Sequence, residues 1–183
     1  MLREVYAGQY DHTRWEDHIQ RVAFTREFAR EVITECECYT AADLSCGDGA
    51  VLLGLTPPLM RDDIILGDYV ESPHLDVFGR IENTIVSIPD VDLFVLSETL
   101  EHIDDPGALL AAIRGRAETL ILTTPLDEQD DGNPEHYWGW DRDGVESLLE
   151  QAGWWPDRCV LFTPEVLEVY YTYQVWMATR DKP

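Results

Sequence analysis

Two hydrophobic periods divide the chain. From about Trp15 to Thr34, apolar residues recur as Ile19, Val22, Ala23, Phe28, Ala29 and Val32, with Arg and Glu on the other faces. That spacing predicts a helix packed beside a core. From Ala41 the pattern changes to short apolar runs, which predict strands at Ala41–Ser45, Asp63–Gly67, Thr84–Ile88, Asp92–Ser97, Thr119–Thr124, Arg158–Phe162 and Val166–Ala178. Helical or turn segments separate them: a short one halted by Pro57-Pro58, one from Pro106 to Arg116, and one over Arg142–Ala152 closed by Gly153. A polar loop runs from the fifth strand to Trp140. Strands alternating with helices predict a mostly parallel α/β sheet covered on both faces. The short link Thr163-Pro164-Glu165 predicts that the last two strands pair antiparallel as a hairpin. Tyr170, Tyr171, Tyr173 and Trp176 divide between core and surface along the final strand.

Composition adds limits. The 183 residues are 45% hydrophobic, enough for one domain with its own core: an N-terminal helical segment over 1–40 and an α/β core over 41–183. No apolar run approaches the ~18–20 residues of a membrane span, and Met1–Tyr6 lacks the apolar centre of a signal peptide. The expected location is therefore cytoplasmic. Thirteen basic residues against 36 acidic ones give a net charge of −23. This disfavours a nucleic-acid partner and fits solubility or a salt-rich setting. Cys36, Cys38, Cys46 and Cys159 form neither a CxxC pair nor a zinc pattern, and read as reduced thiols. No heptad or apolar stripe defines an oligomeric state.

The candidate chemistry begins at the first strand. It ends in Asp43 and runs into Ser45-Cys46-Gly47-Asp48-Gly49, where glycine lets backbone approach a ligand and turn into a helix. Asp68 ends the second strand 19 residues after Gly49, close to the spacing of about 20 at which an acidic residue meets an adenosine ribose. Asp43–Gly49 resembles the first motif of class I S-adenosylmethionine-dependent methyltransferases, usually Asp-x-Gly-x-Gly-x-Gly. Asp92–Pro106 is similar to their fourth-strand motif, notably in relatives of the ubiquinone-biosynthesis O-methyltransferases. Thr119–Pro125 resembles the fifth strand and Val145–Gly153 the helix before the terminal hairpin.

The resemblance covers roughly residues 40 to 180. It implies a Rossmann-like seven-stranded sheet with the last strand reversed, and S-adenosyl-L-methionine as cofactor. It further implies that Gly47 and Gly49, with Ser45 and Cys46 in the same turn, face the methionine part, and that Asp43 meets its ammonium. Asp68 would hold the ribose, Tyr69 and Ile85 the two adenine faces, and Ser97 and Glu98 the space below the sulfonium. Ser45 departs from the usual first glycine, and Thr84 stands where many relatives carry an acid. Cys46 reads as a packing residue of the turn, not a nucleophile.

Glu98, Glu101 and His102 lie at i, i+3 and i+4, so one helical turn would gather them on one side. With His136 they could hold Mg²⁺ or Mn²⁺. The set is similar to that of the small-RNA 3′-end 2′-O-methyltransferases, Glu-x-x-Glu-His with a later histidine before an aromatic segment, here Asn133–Trp140. Against a metal, Glu-x-Leu-Glu-His also occurs in metal-free relatives, and the acidic run Asp127–Asp131 would repel RNA. Structural polar roles are therefore the leading reading of these residues. The loop from Leu126 to Trp140 should overhang the ligand end of the sheet. There Tyr137, Trp138 and Trp140 could wall an acceptor, and His136, with Glu98 nearby, is the candidate base. Tyr6, Tyr10, His12, Trp15 and His18 would join this pocket if the N-terminal segment folds over it. The favoured function is methyl transfer to an oxygen or nitrogen of a small-molecule acceptor. The alternatives are a metal-dependent methyltransferase of RNA ends and a non-catalytic module of the same fold.

Overall fold

The computed structural model describes residues 11–127, 136–166 and 172–182. Helix α1 (Glu16–Glu35) precedes β1 (Ala41–Asp43), the short α2 (Ala50–Leu53), β2 (Ile64–Asp68), β3 (Val77–Phe78) and α3 (Ile81–Thr84). There follow β4 (Val91–Ser97), α4 (Pro106–Arg114), β5 (Ala117–Pro125), α5 (Arg142–Gln151), β6 (Trp155–Phe162) and β7 (Tyr173–Thr179). The strands form one seven-stranded sheet in the order β3-β2-β1-β4-β5-β7-β6. β1 to β5 run parallel, and β7 inserts antiparallel between β5 and β6.

Strand alternation divides the core between the two faces of the sheet. Leu93, Val95, Ile121, Val175 and Met177 pack with Val22, Phe28, Ala29 and Val32 of α1 and Val51 and Leu52 of α2. Their neighbours Phe94, Leu96, Leu120, Leu122, Trp176 and Ala178 face the other way, onto α3, Leu109, Leu110 and Ile113 of α4, and Val145 and Leu149 of α5. Aspartates cap the starts of the two later helices. The Asp105 side chain accepts a 2.9 Å bond from the Ala108 N–H just before Pro106, and Asp141 accepts one of 2.7 Å from Gly144 N–H. Gly153, at φ 88°, ends the turn after α5.

Three expectations need correction. The third strand is not Thr84–Ile88: those residues continue α3 into a 3-10 turn over Ile85–Ser87. Ile81, Ile85 and Ile88 are buried at spacings of four and three, whereas Val86 between them is 65% exposed, the period of a helix and not of a strand. The edge strand is instead Val77–Phe78, paired with Gly67 and Asp68. β7 begins at Tyr173 and not at Val166, so the link between the last two strands is longer than three residues although their pairing is antiparallel. Tyr170 and Tyr171 lie outside the described residues. Finally, Glu98 to His102 do not form one α-helical turn. Glu98 takes a left-handed conformation (φ 50°), and only Leu100–His102 winds, as a 3-10 turn.

Candidate active site at the carboxyl ends of the strands

The strand order reverses direction between β1 and β4, and open α/β sheets bind ligands at the carboxyl ends of the strands at such a point. After β1 the chain makes a tight turn, with Gly47 at φ 55° and Gly49 at φ 74°. A side chain at Gly49 would also press on Leu53 and Leu66, at 3.0 and 3.1 Å, so conformation and packing both require glycine there. The Cys46 N–H donates to the Gly67 carbonyl (3.0 Å), joining the turn to β2. Cys46 itself is buried, and burial pushes its thiol well above the usual range. It is a protonated packing residue.

Asp68 fixes the turn from the end of β2. One oxygen accepts from Gly47 N–H (2.8 Å) and the other from Val70 N–H (2.9 Å). Asp43 is buried at the end of β1 and accepts from Ser45 N–H at 3.0 Å. Burial pushes its carboxyl up to about 7. The bond from Ser45 and the charge of Arg21 oppose the rise, and the charge of Asp68 adds to it. His74, which the sequence reading missed, approaches the Gly47 carbonyl through Nε2 (3.2 Å) and Ser72 Oγ through Nδ1 (2.8 Å). Asp48 anchors the incoming chain, accepting from His12 N–H (3.1 Å) and standing 2.6 Å from His12 Nδ1. Tyr69 is half-buried beside Asp68, whereas Ile85, 1% exposed, belongs to the core below α3.

A second group forms where β4 and β5 end. Arg21 Nη1 donates to Ser97 Oγ (2.8 Å), Ser97 Oγ lies 2.9 Å from Thr123 Oγ1, and Thr123 Oγ1 donates to Glu98 Oε1 (2.8 Å). With each hydroxyl donating onward, the bonds run in one sense from guanidinium to carboxylate. Thr99 Oγ1 lies 2.8 Å from Ser45 Oγ and so ties this group to the glycine turn. Arg21 and Thr123 were absent from the sequence reading. Arg21 occupies a helix whose charged residues read as solvent-facing, and only tertiary packing of α1 on the sheet turns it inward.

The third group lies at the loop after β5. Glu101 is 2% exposed, and one of its oxygens accepts from Thr124 Oγ1 (3.0 Å). Burial, reinforced by the charge of Glu98, pushes its carboxyl up to about 8. His102 Nε2 lies 3.9 Å from Glu101, and the rings of His102 and His136 meet edge-on with centroids 4.8 Å apart. Tyr137 N–H donates to the Glu101 carbonyl (2.8 Å) and Trp138 Nε1 to that of Ile103 (2.8 Å), which docks the loop. Trp138 and Trp140 stack at 5.6 Å. One ligand atom each from Glu101, His102 and His136 lies within 4.8 Å of the others. Glu98, the fourth member of the expected set, is not in this group and turns to Thr123 instead. Asn133–Glu135 and Glu128–Asp131 lie outside the described residues, as do Tyr6 and Tyr10. Trp15 is exposed. His18 is pushed down to about 4 by burial, with the neighbouring Arg21 acting the same way.

The sheet order, the reversed β7 and the glycine turn define a Rossmann-like fold of the kind found in S-adenosylmethionine-dependent methyltransferases. No protein-family model matches the chain, and neither does any curated protein sequence. Among solved structures, it is similar to the 1,6-didemethyltoxoflavin-N1-methyltransferase of Burkholderia thailandensis, with bound 1,6-didemethyltoxoflavin and S-adenosylhomocysteine. The TM-score is 0.72 at 15% identity, over 99% of this chain and 88% of that one. It is also similar to the magnesium protoporphyrin IX methyltransferase of Synechocystis with bound S-adenosylhomocysteine (TM-score 0.69, 13% identity, 98% and 93% coverage). A third likeness is to a putative methyltransferase in complex with the Trm112 activator of Haloferax volcanii (TM-score 0.64, 13% identity, 89% and 95% coverage). Likeness at identities this low establishes the fold alone. No helix among the described residues is long and apolar enough to cross a membrane.

Proposed function

We propose that this protein transfers a methyl group from S-adenosyl-L-methionine to an oxygen or nitrogen of a small molecule. The observation that carries the reading is the pair of buried carboxyls, Asp43 and Asp68, set on either side of a left-handed glycine turn at the sheet's switch point. Each Asp68 oxygen spends one lone pair on a backbone N–H, which leaves two acceptors for a ribose diol. Asp43, held near neutrality by burial, would ionise fully against an arriving ammonium, so the donor set suits the amino-acid end of the cofactor. Gly47, Gly49, Ser45 and Cys46 form the turn that would lie against that end. Tyr69 is adjacent to Asp68 for the adenine, and Ile85 would support it from the core. Two small-molecule methyltransferases of the same fold, with S-adenosylhomocysteine bound, lend support to both cofactor and acceptor class.

The bound cofactor would supply an electrophilic methyl on a sulfonium. This chain's own residues would hold the acceptor in line and exclude water. Ser97 and Glu98, fixed through Thr123, would border the reacting space. His136, beside Glu101 and His102, is the candidate base, taking the acceptor proton where the acceptor is not already ionised. The closer kinship to ubiquinone-biosynthesis O-methyltransferases rests on Asp92–Pro106 alone. Calorimetry with S-adenosylhomocysteine tests the reading: we expect saturable binding, weakened by Asp68→Ala about tenfold or more through loss of charge-assisted bonds to the ribose. Absence of heat at millimolar ligand would contradict it and favour a non-catalytic module.

A second reading is favoured by the meeting of Glu101, His102 and His136. Two imidazoles and a carboxylate suit Mn²⁺ or Mg²⁺, and a metal there would activate an acceptor hydroxyl. With a net charge of −23, such an acceptor is better sought among small molecules than among RNA ends.

A further inference from the structure

Arg21 is 2% exposed. Its Nη1 donates to Ser97, and its guanidinium carbon lies 5.7 Å from the centre of the Tyr173 ring. Its Nε is buried and has no acceptor among the described residues. No carboxylate among them forms an ion pair with it. The acidic influences on it are indirect: Asp43 through space, and Glu98 through the hydroxyls of Ser97 and Thr123. A buried cation without a directly bonded anion is costly, and chains that contain one normally provide its partner.

Its position shows what the partner faces. Ser97 ends β4, and Tyr173, the first residue of β7, is opposite Pro125 at the end of β5. Arg21 therefore lies over the β4-β5-β7 side of the switch point. The proposed cofactor carboxylates, Asp43 and Asp68, end β1 and β2 on the other side. We propose that Arg21, which has no anion bonded to it among the described residues, binds a ligand carboxylate, and that the acceptor is a carboxylate-bearing small molecule. The methionine carboxylate of the cofactor is the second source of the same chemistry. The inference rests on the methyltransferase reading of the site and narrows its acceptor. Because the protein's overall field repels anions, recognition of one needs a short-range interior cation, and the flat guanidinium fork matches a carboxylate.

The test uses Arg21→Met, which removes the charge at similar length, and Arg21→Gln, which keeps a donor for Ser97. If the cation is uncompensated without ligand, Arg21→Met melts about 2–4 °C above the wild type. Benzoate and hexanoate are then compared with benzamide and hexanamide as thermal stabilisers of the protein saturated with S-adenosylhomocysteine. An acceptor carboxylate predicts that the acids, and not the amides, stabilise the wild type, that Arg21→Met abolishes the difference, and that affinity for S-adenosylhomocysteine stays within about threefold. A cofactor carboxylate predicts instead a loss in that affinity of about 30-fold, with binding of 5′-methylthioadenosine, which lacks the amino acid, unchanged. The proposal is overturned if both variants fold less stably than the wild type. It is equally overturned if neither acid preference nor cofactor affinity depends on Arg21. Should the wild type bind no S-adenosylhomocysteine, the methyltransferase reading fails by itself, and the acid-amide comparison on the unliganded protein still decides the role of Arg21.

Discussion

Asp43 links stability to pH with a definite sign. Burial pushes its carboxyl up to about 7 in the folded chain, from an ordinary value of 3.8. Below about pH 3 both folded and unfolded states are protonated and the group has no effect. As pH rises toward 7 the unfolded carboxyl ionises first, so the folded state loses up to roughly 4 kcal/mol from this residue and the loss then levels off. Thermal melts of the unliganded protein between pH 4.5 and 7.5 should show Asp43→Asn flattening the fall that the wild type displays. Parallel curves for the two proteins would contradict the burial argument. At this scale the sequence was a good guide wherever a motif fixed the neighbours: Asp43, the glycines and Asp68 are together at one turn. It was silent on Arg21 and His74, because whether a helix arginine or a loop histidine points inward depends on packing between segments distant in sequence.

The elements were legible where apolar runs were long enough to show a period. β4, β5 and β7 each divide their side chains between the two core faces, and α4 and α5 begin at Pro106 and Arg142, where the sequence pattern starts them. Thr84–Ile88 failed because five residues cannot distinguish a strand from the end of a helix whose other buried member, Ile81, lies upstream. The same limit separated Glu98 from its expected companions. A helical spacing was read across a residue that takes φ 50°, and a left-handed residue breaks the face on which the spacing argument depends. What unites Glu101, His102 and His136 is the docking of the loop after β5 onto the 3-10 turn through Tyr137 and Trp138. If that junction is a metal centre, Mn²⁺ binding followed by electron paramagnetic resonance should saturate in the wild type and weaken at least about tenfold in His102→Ala, and a chelator should remove it. Because Glu101 titrates near 8, binding should strengthen as pH rises toward 8, when the metal no longer displaces a proton. Equal Mn²⁺ affinity in the two proteins would leave these side chains with hydrogen-bonding roles only.

Over the whole molecule, one sheet carries three groups at the same edge. The cofactor turn lies at β1 and β2, the Arg21-to-Glu98 chain at β4 and β5, and the histidine pair where the loop beyond β5 docks on the 3-10 turn after β4. Their division across the switch point leads to the proposal that cofactor and acceptor approach from opposite sides of it. The net charge of −23 sets the background against which a buried arginine becomes informative. The fold could be read from the chain almost entirely, and the acceptor side hardly at all, since it is assembled from α1, β4, β7 and a loop that share no motif. A crystal structure of the protein grown with S-adenosylhomocysteine tests the central claim most directly. The account predicts the ribose hydroxyls on the Asp68 carboxylate, the amino group toward Asp43, and the thioether sulfur facing Ser97 and Glu98. The ligand bound elsewhere on the molecule, or an empty turn at saturating concentration, would contradict it.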